Sequence, residues 1–154
     1  MKAKPMVLTL ALCFVAAAVC FASQVQPGTW KLNEAKSKVT PGVQKNTTVM
    51  YETVGGRVKV TVEGIDGKGK STHNEWTGKY DGKDYPVTGD PTSDTRSYTK
   101  VNDQTLDFAV KKSGKTTVTG RVVVAANGKS RTVTTSGTDP KGKKFKNTSV
   151  YDKQ

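Results

Sequence analysis

The only histidine of the chain, His73, is the residue best suited to proton transfer, and it is followed by Asn74 and Glu75. An imidazole can act as a general base or ligate a metal near neutral pH. His73 and Glu75 would share one face of a strand, but no serine or cysteine nucleophile lies between them. The chain has no Gly-x-Ser-x-Gly elbow, and any serine triad would depend on this one histidine. We therefore predict that the protein is not an enzyme and has no catalytic residues.

Metal and cofactor sites are not indicated either. Both cysteines, Cys13 and Cys20, fall in an N-terminal segment that we expect to be removed, so no thiol remains to join His73 around a metal. The glycine-rich run 66–70 lacks the spacing of a phosphate loop and does not precede a helix, so we interpret it as a hairpin turn. We predict no cofactor and no metal.

Aromatic and basic side chains are better candidates, for binding rather than catalysis. Four aromatic residues flank the turns near residues 81 and 89, where they could stack on a ligand or pack against one another across strands. Two arginines could pair with a ligand carboxylate or lie on the polar faces of strands. With Trp30 these residues form the predicted ligand-binding set: Trp30, Trp76, Tyr80, Tyr85, Arg96, Tyr98 and Arg121.

The first 23 residues have the pattern of a secretory signal peptide. Lys2 and Lys4 precede the apolar stretch 6–21, which ends in small residues suited to cleavage after Ala22 or Ser23. Lipid attachment at Cys20 is the alternative. We therefore predict a signal peptide over 1–23 and a single periplasmic or secreted domain over 24–154, with no transmembrane segment in the mature chain.

The charge of the chain is strongly positive, with 25 lysines and arginines against 13 acidic residues and a net charge of +12. Removal of Lys2 and Lys4 would leave +10. Such a charge favours anionic partners, but the lysines are dispersed over every hairpin, which is also typical of a solvated surface that discourages edge-to-edge pairing. No specific nucleic-acid motif accompanies them.

The elements that must position these residues are strands. Turn dipeptides recur at 55–56, 66–67, 81–82, 102–103, 113–114 and 127–128, each between runs rich in Val, Thr and Tyr. The clearest strand runs from Arg57 to Gly64, where Val58, Val60 and Val62 alternate with polar residues. Pro86 indicates that the strand 83–88 lies at an edge or a bulge. A short helical turn over 34–38 remains open.

The pattern predicts an all-β protein of about ten strands in one antiparallel meander. Because accumulated twist and unpaired edges favour closure, we expect an up-and-down barrel of 8–10 strands, with a sandwich as the alternative. Inward positions hold mostly Val, Thr and Gly, so the interior could enclose a cavity or pack solid around Trp30, Trp76, Phe108 and Phe145.

Gly28-Thr29-Trp30, at the start of the first strand, resembles the Gly-x-Trp element of lipocalins, and the meander resembles the lipocalin-like, or calycin, barrels. The runs 74–86 and 151–154 are similar to small uncharacterised exported bacterial proteins. The resemblance implies a barrel closed at one end by Trp30. Lipocalins keep an arginine near the last strand, for which Lys143, Lys144 or Lys146 would be the stand-in.

These observations support two hypotheses about function. The first is an exported, non-enzymatic barrel that binds a small apolar or amphipathic (lipophilic) ligand inside it. The second is a cationic module that binds anionic envelope polymer, lipid headgroups or nucleic acid.

Overall fold

The computed structural model describes residues 27–139 and 141–154. The predicted signal peptide, its cleavage site and both cysteines lie outside these ranges. The described part contains ten antiparallel strands. They are β1 (Gly28–Lys38), β2 (Lys45–Val54), β3 (Arg57–Ile65), β4 (Ser71–Gly78), β5 (Tyr85–Thr88), β6 (Thr95–Asn102), β7 (Thr105–Lys112), β8 (Lys115–Val124), β9 (Ser130–Thr138) and β10 (Lys144–Lys153).

The strands form one closed barrel in which each pairs with its sequence neighbours and β10 returns to pair with β1. The predicted all-β meander and its closure are therefore confirmed. The turn chemistry explains the connections: Gly55 and Gly56 adopt φ values of 54° and 72°, as a two-residue hairpin of the primed type requires. The remaining turn dipeptides lie between or next to strands as predicted.

The structure answers the question left open at residues 34–38 and corrects the edge alternative given for Pro86. Residues 34–38 continue β1 as a strand, with a register shift between Asn33 and Lys38, rather than forming a helical turn. Pro86 does not lie at an edge, because the barrel is closed and β5 pairs with both neighbours. β5 makes only two paired positions on each side, so the ladder loses little from the missing proline donor.

The segment between β4 and β5 is also not a simple hairpin at Asp81-Gly82. Asp81 forms an isolated bridge with Thr99, Gly82 donates to the Tyr98 carbonyl, and Lys100 donates to the Tyr80 carbonyl. Residues 80–82 therefore pair with residues 98–100 of β6 and continue the line of β5, with an interruption at 83–84. This pairing brings the Tyr80 ring to the barrel interior.

Because the strands alternate in direction, the barrel has two distinct ends. We call one the closed end; it carries the start of β1, the end of β10 and the connections 55–56, 79–84, 103–104 and 125–129. The open end carries the connections 39–44, 66–70, 89–94, 113–114 and 139–143. The buried hydrophobic core comprises Trp30, Val49, Tyr51, Val58, Val60, Val62, Trp76, Tyr98, Leu106, Val122, Val124 and Tyr151.

Candidate functional site

The burial of inward-facing side chains changes along the barrel axis. On each of β7 to β10, the inward residue near the closed end is buried and those nearer the open end are mainly half-buried. The buried members are Leu106, Val122, Arg131 and Tyr151; the half-buried ones are Phe108, Val118, Val133, Thr135, Phe145 and Ser149. Inward side chains of these strands are therefore less completely covered in the open half, although Asn147 is buried there. We call the space lined by these half-buried residues the open lumen.

The rings of Phe108 and Phe145 lie flat on the inner wall because glycines stand opposite them. Phe108 pairs with Gly120, and a Cβ at Gly120 would collide with the Phe108 ring and the Thr134 carbonyl. Phe145 pairs with Gly137 in the same way, and a Cβ there would lie 2.9 Å from its ring. Two aromatic rings thus supply apolar wall without projecting across the lumen.

Arg96 is the charged side chain of the open half. It is 8% exposed and faces inward, and its Nη2 donates to the Asn74 Oδ1 at 3.1 Å. Its Nε has no hydrogen-bond partner, and no described carboxylate forms an ion pair with it. The Tyr98 hydroxyl is the other described side-chain partner of Arg96 and is also neutral. A buried charge with only neutral partners is destabilised by several kcal/mol in general, so Arg96 is a cation without a described counter-charge inside the barrel.

The barrel wall opens beside the lumen, between β1 and β2. Their pairing ends at Lys31 and Thr48, whereas β2 continues to pair with β3 as far as Lys45. A cleft of about 410 Å³ lies here under the connection 39–44, and its lining includes Leu32, Val39, Val43 and Ile65. Leu32 faces the lumen by register, so the cleft adjoins the lumen.

Four of the predicted ligand-binding residues come together, but they contact one another. The Trp76 ring stacks on Tyr80 at 6.5 Å and meets Tyr85 and Tyr98 edge-on at 5.8 and 4.8 Å. The Trp76 Nε1 donates to the Arg96 carbonyl at 2.8 Å. Burial raises the pKa of Tyr98 to about 12 and raises that of Tyr80 further, so both hydroxyls stay protonated. This cluster forms the floor of the lumen.

Trp30 lies apart from that cluster, in a cage around Arg131 at the closed end. The Arg131 guanidinium lies over the rings of Trp30, Tyr51 and Tyr151 at 4.8, 4.8 and 4.9 Å. Arg131 is 2% exposed, and its Nε and Nη1 have no hydrogen-bond partner. The ring faces supply the negative potential that a carboxylate would otherwise provide.

Arg131 was missed by the sequence analysis. Lys143, Lys144 and Lys146 were the expected stand-ins for the arginine of lipocalins, but all three are exposed and none packs on Trp30. The available signal was alternation: Arg131 shares a strand face with Val133, which made it an inward arginine in β9.

The remaining candidates lie outside the barrel. Arg121, on the outer face of β8, forms a bidentate pair with Asp107 at 2.6 and 2.8 Å, and this contact lowers the pKa of Asp107. His73 is exposed, and its Nδ1 lies 2.6 Å from the Glu63 Oε1. Neither side chain reaches the lumen.

Comparison with known proteins supports the barrel fold. A solved structure described as EF1p2_mFAP2b bound to DFHBI superposes with a TM-score of 0.51 at 12% identity, covering 86% of this chain and 97% of that one. No protein-family model and no curated protein matches this chain. The resemblance to lipocalins and to exported bacterial proteins stays a prediction.

Helices that could cross a membrane are absent from residues 27–139 and 141–154.

Proposed function

We propose that this protein is a non-enzymatic, exported barrel that binds one small amphipathic molecule in the open lumen. The observation that carries the proposal is the change in burial along β7 to β10. On these strands the inward side chains are buried near the closed end and mainly half-buried near the open end. An apolar wall with few polar groups is the usual lining of a small-molecule site. The structural neighbour bound to DFHBI shows that a barrel of this fold can hold a small ligand.

The polar part of the ligand is proposed to be an anion, held by Arg96. A carboxylate would satisfy the Arg96 Nε and neutralise a cation whose described side-chain partners, Asn74 and the Tyr98 hydroxyl, are neutral. The apolar part would lie against Phe108, Val118 and Phe145. A fatty-acid-like molecule has this combination of a charged head and an apolar body.

Binding without chemistry is part of the same proposal. The lumen wall is formed by apolar, hydroxyl, amide and guanidinium groups, and the single histidine is on the outer surface. Arg131 is enclosed by rings at the closed end, so it is a structural cation in this proposal rather than a ligand contact.

The test uses two neighbouring threonines of β9 that point to opposite faces. Thr135 faces inward, opposite Gly120 and Asn147, whereas Thr134 faces outward, opposite Arg121. The probe is a dansyl-labelled medium-chain fatty acid titrated by fluorescence. We expect Thr135→Phe to fill the lumen and weaken binding at least tenfold, a change of about 1.4 kcal/mol. Thr134→Phe should leave the affinity within about twofold of the parent, which is under 0.5 kcal/mol.

Equal losses in both variants, or full binding by Thr135→Phe in a folded protein, would refute the proposed site. Circular dichroism and thermal unfolding of each variant establish that the barrel is intact.

A further inference from the structure

The open end of the barrel carries about half of the net positive charge of the described residues. The connections of this end, taken together with the strand ends that adjoin them, contain ten lysines and five carboxylates, a net charge of +5. These segments are 34–45, 66–70, 90–94, 112–115 and 139–144. The loops of the closed end, 52–57, 79–84, 100–104, 125–129 and 152–154, hold six basic and five acidic side chains, a net charge of +1. Charge is therefore distributed unequally between two ends of one small barrel.

Eight of the ten lysines are exposed and form no ion pair with a described carboxylate. We call them the lysine rim: Lys36, Lys38, Lys68, Lys70, Lys115, Lys141, Lys143 and Lys144. The other two, Lys45 and Lys112, pair with Glu34 and Asp94. The rim lies at four places on this end, namely the end of β1, the turn between β3 and β4, the start of β8, and the turn before β10 with its first residue, so it surrounds the mouth instead of forming a stripe along one side.

The carboxylates at this end are occupied by the turns. The Asp66 side chain accepts from the amides of Lys68 and Lys70, which lowers its pKa, and Asp139 accepts from those of Lys141 and Lys143. These carboxylates thus accept from backbone amides of their own turns, whereas the lysines of the same turns are exposed.

We propose that the lysine rim docks the open end onto an anionic lipid bilayer, with the lumen facing the membrane. Ammonium groups arranged around an end of a barrel fit a flat charged surface, whereas a linear polymer would need a groove. Lysines near an anionic surface attract it within about one Debye length, roughly 10 Å at 0.1 M salt. The docking itself does not require the proposed function. Its biological role rests on that function, since a bilayer is where an amphipathic ligand would be taken up or released.

The experiment compares two triple variants with the same net charge. The rim variant is Lys68→Gln, Lys115→Gln and Lys143→Gln, at three different places around the open end. The control is Lys79→Gln, Lys83→Gln and Lys129→Gln, three exposed lysines of the closed-end loops. Protein purified from cells that express the full chain is sedimented with vesicles of phosphatidylglycerol and phosphatidylcholine, and with phosphatidylcholine alone.

We expect the parent to bind only the anionic vesicles, with an affinity that falls steeply as salt is added. Each lysine near the surface contributes about fivefold, so the rim variant should lose roughly a hundredfold and the control less than about threefold. Equal losses in the two variants, binding that salt does not weaken, or stronger binding to heparin or DNA than to vesicles would overturn the inference.

Failure here is distinguishable from failure of the ligand proposal. In the absence of vesicles, both triple variants should bind the dansyl fatty acid within about twofold of the parent, because none of the six lysines lines the lumen. Loss of dye binding by the rim variant alone would mean that these lysines belong to the ligand site, which contradicts the docking role.

Discussion

The two halves of this barrel use buried arginine in different ways. At the closed end, Arg131 lies within 5 Å of the centres of three aromatic rings and is part of a sealed core. In the open half, Arg96 is buried beside Asn74, and none of the described rings is stacked on its guanidinium. The first cation is compensated by its surroundings, whereas the second is left to be compensated by something that enters. In the proposed function, the first half stabilises the fold and the second half binds the ligand.

The largest effect that would sharpen this comparison is expected at Arg131. Arg131→Ala should lower the free energy of unfolding by about 3 kcal/mol, because it leaves a cavity among three rings and removes the cation–π contacts. Chemical denaturation measures the change. Arg131→Lys should restore only part of it, since an ammonium cannot lie flat against several rings. An unchanged free energy of unfolding in Arg131→Ala would show that the cage does not stabilise the closed end.

Alkaline pH should also lower the stability of the barrel through its buried tyrosines. Burial raises the pKa of Tyr98 and Tyr151 to about 12, against about 10 in an unfolded chain. Between these values the folded state keeps protons that the unfolded state has lost, so stability is full below about pH 10 and falls as the pH rises toward 12.

The expected slope is about 1.4 kcal/mol per pH unit for each tyrosine across that window. Denaturation at several pH values measures it, and Tyr98→Phe should reduce it by about one tyrosine's share. A slope that is the same in parent and variant would contradict the assignment.

At Arg96 we expect stability and binding to change in opposite directions. Arg96→Met removes an uncompensated buried charge, so the free energy of unfolding should stay the same or rise by about 1 kcal/mol. Affinity for the fatty acid should fall about tenfold, while affinity for its methyl ester should not change. Loss of stability together with unchanged selectivity for the acid would make Arg96 a structural residue like Arg131.

The smallest effect is expected at Arg121, on the outer wall. Its pair with Asp107 is solvent-exposed, so Arg121→Gln should change stability by less than about 1 kcal/mol and leave ligand affinity unaltered. A clear loss of affinity would place a ligand contact outside the lumen and break the division between the two halves.

The architecture was predictable because it depends on local chemistry. The glycine and asparagine turns and the alternating valines of β3 act over a few residues, and their pattern identified ten strands and closure. The exceptions have nonlocal causes. Residues 80–82 pair with β6 rather than turning directly into β5. The local pattern did not predict this pairing, because the partners Tyr98 and Lys100 are distant in sequence.

The candidate site was less predictable, because it depends on which side chains face inward and how far they fill each half of the barrel. Trp76, Tyr80, Tyr85 and Tyr98 were identified from their types and positions, but no sequence pattern shows that they form a floor instead of a wall. Arg96 and Arg121 are each arginines within strands, and only the register distinguishes the inward from the outward one. Side-chain volumes at inward positions could not be summed before that register was known.

The central claim is that the open lumen is the binding site. A crystal structure of the protein with a medium-chain fatty acid brominated at its far end would test it directly through the anomalous signal of bromine. The account predicts one bromine peak among Phe108, Val118, Val133 and Phe145, with the carboxylate at Arg96. A peak only in the cleft beneath residues 39–44 or on the outer wall, or an empty lumen at saturating ligand, would contradict it.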